Sequence, residues 1–379
     1  MLRLYIITAL LHLYVGSRLL PALQPFGTPP VAALAVWLVA SAALIPFAFR
    51  ARRTGVRRLS LGLAWAGLIA MGSLSSLFVL TVIRDIALAG FLTLSRFVAD
   101  VGLLQQFHDW SAVAVPILAG LFSGVGFINA RRRAEVRSVD VPIVNLPASV
   151  HGFTIAQISD VHVGTTIKGN YLNAIVDAVN ELNADMIAVT GDLVDGSVAN
   201  LAPHTESLSR LSARHGAFFV TGNHEYYSGV RSWVAEIRRL GLHVLMNEHV
   251  VLKHEGAELV VAGVTDFNAH HFDPSHQSDP AGAIAGAPRD AAVNILLAHQ
   301  PRSAFAAQAA GYDLQLSGHT HGGQFLPWNF FVRLQQPFTA GLHRLGKLWV
   351  YVSRGTGYWG PPKRLGAPSE ITMLRLVPA

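Results

Sequence analysis

Hydrophobic and polar positions divide this chain into two unlike stretches. Up to about residue 130 the apolar positions form long runs, and residues 31–49, 61–83 and 111–130 contain no charged side chain. Each run is close to the ~20 residues an α-helix needs to cross a bilayer. Residues 4–23 make a weaker fourth run, interrupted by His12 and Arg18. Arg18, near the end of that run, can extend its charge to the interface. The run begins almost at Met1 and three more follow, so it reads as a span rather than a cleaved signal peptide. Residues 86–98 are apolar but too short to cross, and read as a helix lying in the interface. The spans show no buried pattern of acids or histidines, which favours an anchor over a proton or ion pathway.

From about residue 153 short runs rich in Val and Ile alternate with amphipathic stretches, the pattern of layered α/β structure. Strands are expected at residues 153–158, 186–190, 217–221, 258–264, 293–298, 348–352 and 371–376. Leu172, Ile175, Val176, Val179 and Leu182 fall at helical spacing and make one apolar face. Ser228 is placed to cap a helix that runs to about Leu240 and stops at Gly241. Residues 268–287, rich in Ala, Gly, His and Pro, read as a surface loop. The expected organisation is a transmembrane anchor at 1–133, a connector at 134–150 and a catalytic domain at 151–379.

Charge sharpens this division. The chain up to Asp140 holds 13 Arg, no Lys and 5 acids, and the remainder holds 16 basic and 18 acidic residues. The net +6 therefore belongs to the apolar part. Arg50, Arg52, Arg53, Arg57 and Arg58 lie between the second and third spans, and Arg131, Arg132 and Arg133 follow the last. The positive-inside rule puts both clusters on the cytoplasmic side. Four spans satisfy it with a cytoplasmic N-terminus and with the domain after residue 130 facing the cytoplasm. The acidic balance after Asp140 lacks the basic stripe of a nucleic-acid partner. With no cysteine, disulfides, thiolate metal sites and cysteine nucleophiles are excluded.

Five short motifs carry the chemistry: Asp160-Val-His162, Gly191-Asp192-Leu-Val-Asp195, Gly222-Asn223-His224-Glu225, the single His299, and Gly318-His319-Thr-His321. Taken alone, Gly222-Asn223 is an ordinary turn dipeptide and His299 a polar residue at a strand end. Together they supply carboxylate, amide and imidazole donors, which suit Mn, Fe or Zn. Most follow an expected strand end, where α/β sheets gather their sites. Gly191, Gly222 and Gly318 stand directly before a candidate ligand, where a tight turn lets it face inward. His270, His271 and His276 read as solvent-facing, and Arg302 and Arg354 as surface residues or phosphate contacts.

In this order the motifs resemble the calcineurin-like metallophosphoesterase superfamily, over roughly residue 153 to the C-terminus. The string Gly318-His-Thr-His-Gly-Gly-Gln324 is similar to the membrane-anchored bacterial branch, as are Ser353-Arg-Gly-Thr-Gly357 and residues 364–371. The resemblance implies a four-layer αββα sandwich of two mixed sheets. It implies one divalent ion on Asp160, His162, Asp192 and His321, and a second on Asp192, Asn223, His299 and His319, with Asp192 bridging. His224 would act on the substrate as general acid or electrostatic stabiliser, oriented by Asp195. Two cations about 3.5–4 Å apart clamp phosphoryl oxygens and lower the pKa of water between them.

The function so implied is hydrolysis of a phosphoester or pyrophosphate. The anchor points to a phospholipid, a lipid pyrophosphate or a lipid-linked nucleotide sugar as substrate. The alternatives are a UDP-2,3-diacylglucosamine-type pyrophosphatase, a cyclic-nucleotide phosphodiesterase and a non-enzymatic membrane scaffold. Gly-Gly-Gln follows His321 where soluble pyrophosphatases of the first type carry Arg-Pro. A phosphoprotein phosphatase would carry Arg-Gly where Gly196-Ser197 follows Asp195.

Overall fold

The structure, a computed structural model, describes residues 2–51, 58–94 and 101–379. Arg52, Arg53, Arg57 and residues 95–98 of the expected interfacial helix lie outside them. The chain forms two compact units, Met1–Arg131 with Gly360–Leu365, and Arg132–Trp359 with Gly366–Ala379.

The first unit is built from α1 (Leu2–Leu23), α2 (Thr28–Ala51), α3 (Arg58–Leu94) and α4 (Val101–Arg131). All four are long and apolar enough to cross a membrane. Two expectations need correction. Residues 86–94 are not a separate interfacial helix but prolong α3, a continuous helix of 37 residues. Neither Pro nor a Gly pair interrupts it between Ile83 and Leu94, so nothing stops the ladder there. The spans also bury polar groups, each with a partner. His12 Nε2 lies 2.7 Å from Ser41 Oγ, and the buried Arg84 donates to Ser111 Oγ at 2.9 Å. Asp85 accepts from Tyr14 Oη at 2.7 Å and Arg18 Nε at 2.8 Å.

The second unit contains twelve strands: β1 (Glu135–Ile143), β2 (Thr154–Ile158), β3 (Met186–Val189), β4 (Ala217–Phe219), β5 (His243–Val244), β6 (Glu248–His254), β7 (Ala257–Gly263), β8 (Val293–Leu297), β9 (Leu314–Ser317), β10 (Gly341–Leu345), β11 (Leu348–Val352) and β12 (Glu370–Pro378). They form two six-stranded sheets, ordered β1-β12-β2-β3-β4-β5 and β10-β11-β9-β8-β7-β6. Both are mixed. β12 runs antiparallel to β2, while β2 to β5 are parallel. In the other sheet β7, β8, β9 and β11 are parallel and the edges β6 and β10 antiparallel.

Helices α5 (Gly169–Glu181), α6 (Val198–Thr205), α7 (Asn223–Ser228) and α8 (Val230–Arg239) join the parallel strands of the first sheet. Helices α9 (Pro280–Ile284), α10 (Ala304–Ala310) and α11 (Trp328–Gln335) belong to the connections of the second. The apolar alternation along the strands explains the layering. Ile155, Met186 and Phe218 of the first sheet share a core with Leu259, Val261, Val293, Ile295, Leu297 and Leu314 of the second. The opposite face of the second sheet, including Leu296, Leu348, Val350 and Val352, packs on Ala304 and Ala307 of α10. This is the expected arrangement of two mixed sheets with helices around them.

The seven expected strands all form, with no end shifted by more than two residues. Within residues 134–150, assigned to a connector, Glu135–Ile143 forms β1 and pairs with β12. Ser228 does not cap a helix. It closes α7, and Gly229, at φ 98°, turns the chain into α8.

Candidate metal centre

The parallel strands of both sheets end on one side, and the loops beyond β2, β3, β4, β8 and β9 supply the motif residues. Asp160 and His162 follow β2, Asp192 and Asp195 follow β3, Asn223 and His224 open α7 after β4, His299 follows β8, and His319 and His321 follow β9. Five of these side chains, Asp160, His162, Asp192, His319 and His321, sit at φ between 51° and 71°. The left-handed region costs an L-residue about 1–2 kcal/mol, so strain collects at the candidate ligands.

Close packing of these loops accounts for two of the glycines. A Cβ on Gly222 would lie 2.2 Å from Asp192 Oδ1, and one on Gly318 would lie 2.1 Å from Asp160 Oδ2. Of the three glycines before a ligand, only Gly191 has positive φ. The other two are needed for close approach rather than for turn geometry.

The side chains converge into three overlapping groups, Asp160 with His162 and His321, Asp192 with His299 and His319, and His162 with Asp192 and His224. His162 Nε2 is 3.0 Å from His321 Nε2, and His321 Nε2 is 3.4 Å from Asp160 Oδ1. In the second group His299 Nε2 lies 3.2 Å from both His319 Nδ1 and Asp192 Oδ2. Asp192 Oδ2 is also 3.9 Å from His162 Nε2 and 3.9 Å from His224 Nε2. One carboxylate oxygen thus stands between the groups.

These donors fit cations. His299 Nδ1 lies 2.8 Å from the carbonyl of Thr190, a pairing that needs the proton on Nδ1. Nε2 then faces the Asp192 carboxylate at 3.2 Å, where it carries a proton in the metal-free protein and would offer its lone pair to a cation. His162 repeats the pattern, with Nδ1 on Asp195 at 3.1 Å and Nε2 toward His321. Asn223 Oδ1 is buried at the same place and has no hydrogen-bond partner among the described residues. Burial and the neighbouring His299 push His319 down to about 3, leaving a neutral donor. Burial opposes a charged His299 too, yet Asp192 and Asp160 outweigh it and draw its pKa well up. The cluster is built around positive charge.

His224 occupies a different place. Its Nδ1 is 2.5 Å from Asp195 Oδ1, and its ring faces a cleft of about 310 Å³. Burial alone would lower its pKa, but Asp192 and Asp195 outweigh burial and hold it at about 9. Tyr227 and Trp359 stand edge-on to the ring at 5.2 and 6.4 Å. Trp328, Val332 and Phe325 add an apolar wall.

Sequence reasoning assigned no role to Glu225, although it is the fourth residue of its motif. It is fully buried, and its carboxylate accepts from the backbone N–H groups of Gly222 (2.7 Å), Asp192 (2.9 Å), Leu193 (2.8 Å) and Val194 (3.3 Å). It ties the Asp192 loop to the Asn223 loop. Gln324 was likewise seen only as part of a string. Its amide exchanges two hydrogen bonds with the backbone of Trp359. Arg354 is engaged by Glu370 at 2.9 Å, and Arg302 stacks over Phe267 at 5.1 Å; neither lines the cleft. His270 and His271 are exposed as expected, but His276 is half-buried, with Nδ1 3.0 Å from Tyr226 Oη.

Comparison with known proteins agrees with the motifs. The family described as calcineurin-like phosphoesterase matches residues 153–323. A zebrafish protein named transmembrane protein with metallophosphoesterase domain is 38% identical over 268 residues, 69% of this chain and 61% of that protein. A metallophosphoesterase of Aquifex aeolicus is 33% identical over 226 residues, 59% of this chain and 84% of that protein. This chain spans only about three-fifths of the length of its zebrafish and bovine relatives. Among solved structures, a 5'-nucleotidase precursor from Thermus thermophilus aligns with a TM-score of 0.40 and 14% identity, over 59% of this chain and 55% of that one.

Proposed function

We propose that this chain, which belongs to the calcineurin-like phosphoesterase family, is a membrane-anchored hydrolase that cleaves phosphoesters or pyrophosphates with two divalent ions. The observation that carries this reading is the convergence of Asp160, His162, Asp192, His299, His319 and His321 into overlapping donor groups joined at Asp192, with the amide oxygen of Asn223 buried and without a partner among the described residues. Asp160, His162, Asp192 and His321 would hold one ion, and Asp192, Asn223, His299 and His319 the other. Such a pair supplies Lewis acidity toward the phosphoryl oxygens and a hydroxide nucleophile at neutral pH.

The remaining work falls to the chain's own groups. Asp195 fixes the His224 proton on Nδ1, and charge from Asp192 and Asp195 keeps a second proton on Nε2. Nε2 faces the cleft and can give that proton to the departing oxygen, which would otherwise leave as an alkoxide. Tyr227 and Trp359 hold the ring from its edges and limit water. Trp328, Val332 and Phe325 leave one wall apolar, which suits a substrate carrying a hydrocarbon part. With four membrane-length helices in the same chain, a lipid-linked phosphate is the substrate class that fits best. The arginines around the spans favour a catalytic unit on the cytoplasmic face of a bacterial inner membrane.

The test is a hydrolysis screen of the purified full chain with Mn²⁺ against bis-p-nitrophenyl phosphate, phospholipids and UDP-diacylglucosamine. Turnover of a lipid phosphate, abolished in Asp192→Asn and His224→Ala, is expected. Turnover of the simple diester alone removes the lipid substrate. No turnover of any removes the hydrolase.

A further inference from the structure

Helix α11 reads Trp-Asn-Phe-Phe-Val-Arg-Leu-Gln and buries none of its residues. At 100° per residue, Trp328, Val332 and Gln335 share one side, and these three line the cleft. Phe330 and Leu334 fall on the opposite arc and are 62% and 83% exposed, and Phe331, 51% exposed, lies on the flank against Trp328. Elsewhere in this unit exposed large apolar residues are mostly isolated in sequence, such as Val136, Val251 and Phe305. Three such residues within five make a patch that calls for an apolar partner.

The helix is fixed, not a loose flap. A Cβ on Gly323 would come within 2.4 Å of Asn329 Cα, so α11 packs directly on the loop that carries His321. At its other end Arg302 Nη2 donates to the carbonyl of Gln335, and Gln336 Nε2 donates to Gln300 Oε1 at 3.1 Å, next to His299. Whatever covers the outer face is thereby held at a set distance from the candidate ligands.

We propose that α11 is an interfacial helix whose outer face enters the headgroup–acyl boundary of the bilayer and seats the mouth of the cleft on the lipid surface. This rests on the reading that the cleft serves a phosphate held at a membrane. The bilayer is the occupant because four membrane-length helices keep every copy of the chain at one. The composition agrees: aromatic and Leu side chains beside a Trp and an Arg are what lies in such an interface. The helix carries no acid, and its exposed Arg333 suits an anionic leaflet.

The chain has no cysteine, so a single introduced thiol labels uniquely. Leu334→Cys, and Lys253→Cys as an exposed control on β6, would each carry an NBD fluorophore in the full chain reconstituted into phosphatidylethanolamine–phosphatidylglycerol vesicles. The label at 334 is expected to be blue-shifted, shielded from aqueous iodide and quenched by doxyl lipids, while the label at 253 stays open to iodide. Equal iodide quenching at both positions overturns the proposal. Shielding at 334 without quenching by doxyl lipid also overturns it, and assigns the face to a protein partner or second copy. In parallel, the double variant Phe330→Ser, Leu334→Ser should turn over bis-p-nitrophenyl phosphate at the parent rate and a vesicle-embedded phospholipid at least tenfold more slowly. An equal fall on both substrates makes the face structural and contradicts the proposal. If the parent chain hydrolyses no lipid phosphate, the substrate reading fails, and the label still decides where α11 lies.

Discussion

The carboxylate of Asp195 holds Nδ1 of His224 at 2.5 Å. The same oxygen lies 3.1 Å from Nδ1 of His162, so one acid orients both a candidate metal ligand and the candidate proton donor. Dications beside Asp192 would take up its share of the field on His224, leaving Asp195 to keep the ring charged. In the metal-free protein Asp192 and Asp195 together raise the His224 pKa to about 9, so the protonated ring is lost as pH rises through that value, and dications beside Asp192 bring that limit down. Asp195→Asn should move the alkaline limb of the rate profile to lower pH. It should also weaken metal binding about 10–100-fold through His162, the usual effect of losing such a partner. An unmoved limb with unchanged metal affinity would contradict this role.

Glu225 is a positioning residue. Its two oxygens accept from four backbone N–H groups drawn from both ligand loops. Burial and Asp192 push its pKa up to about 7, while its partners are all donors and require acceptor oxygens. Glu225→Gln turns an NH₂ toward those donors and strands at least one of them, at a cost on the order of 3 kcal/mol. Lower thermal stability together with lost metal is expected. A variant with parental melting and metal content would show that the loops hold themselves.

Gly222→Ala is compatible with its own φ of −99°, yet should be damaging at the site, where the new methyl also comes within 2.6 Å of the Asp192 backbone nitrogen. The new methyl would meet Asp192 Oδ1 at 2.2 Å. Displacing that carboxylate by about 1 Å is enough to cost roughly 100-fold in rate. The check is kcat on the simple diester alongside a folding control. A loss below threefold would mean that Asp192 can shift freely.

His319 sits at φ 71°, where glycine is comfortable and alanine is not. In metal-free protein His319→Gly should be about 1 kcal/mol more stable than His319→Ala, the size of the left-handed penalty. Denaturant melts of the two variants measure this. Equal stability would place the strain elsewhere.

What the sequence made legible follows from what each element has to bury. The central strands β2, β3, β8 and β11 are buried almost throughout, so their Val- and Ile-rich runs stand out. β1, β6 and β10 are edges, the first two exposed over much of their length and β10 half-buried, and their mixed composition hides them. The candidate ligand set stood out because its motifs lie in loops with little other reason for their chemistry. The left-handed backbone at those ligands left no trace in residue type, because function rather than comfort chose Asp and His there. Glu225 was visible as a letter, but its four acceptor bonds exist only once two distant loops meet. α11 is too short for a periodic signal and carries its apolar residues outward, against the rule used to find helices.

The central claim is that seven side chains from five loops hold two divalent ions. Elemental analysis of purified, active full-length protein tests it most directly. About two divalent ions per chain are expected, as in other two-metal hydrolases, with fewer than one remaining in Asp192→Asn and activity lost to chelator but restored by Mn²⁺. Protein that hydrolyses bis-p-nitrophenyl phosphate while carrying no metal would contradict the account.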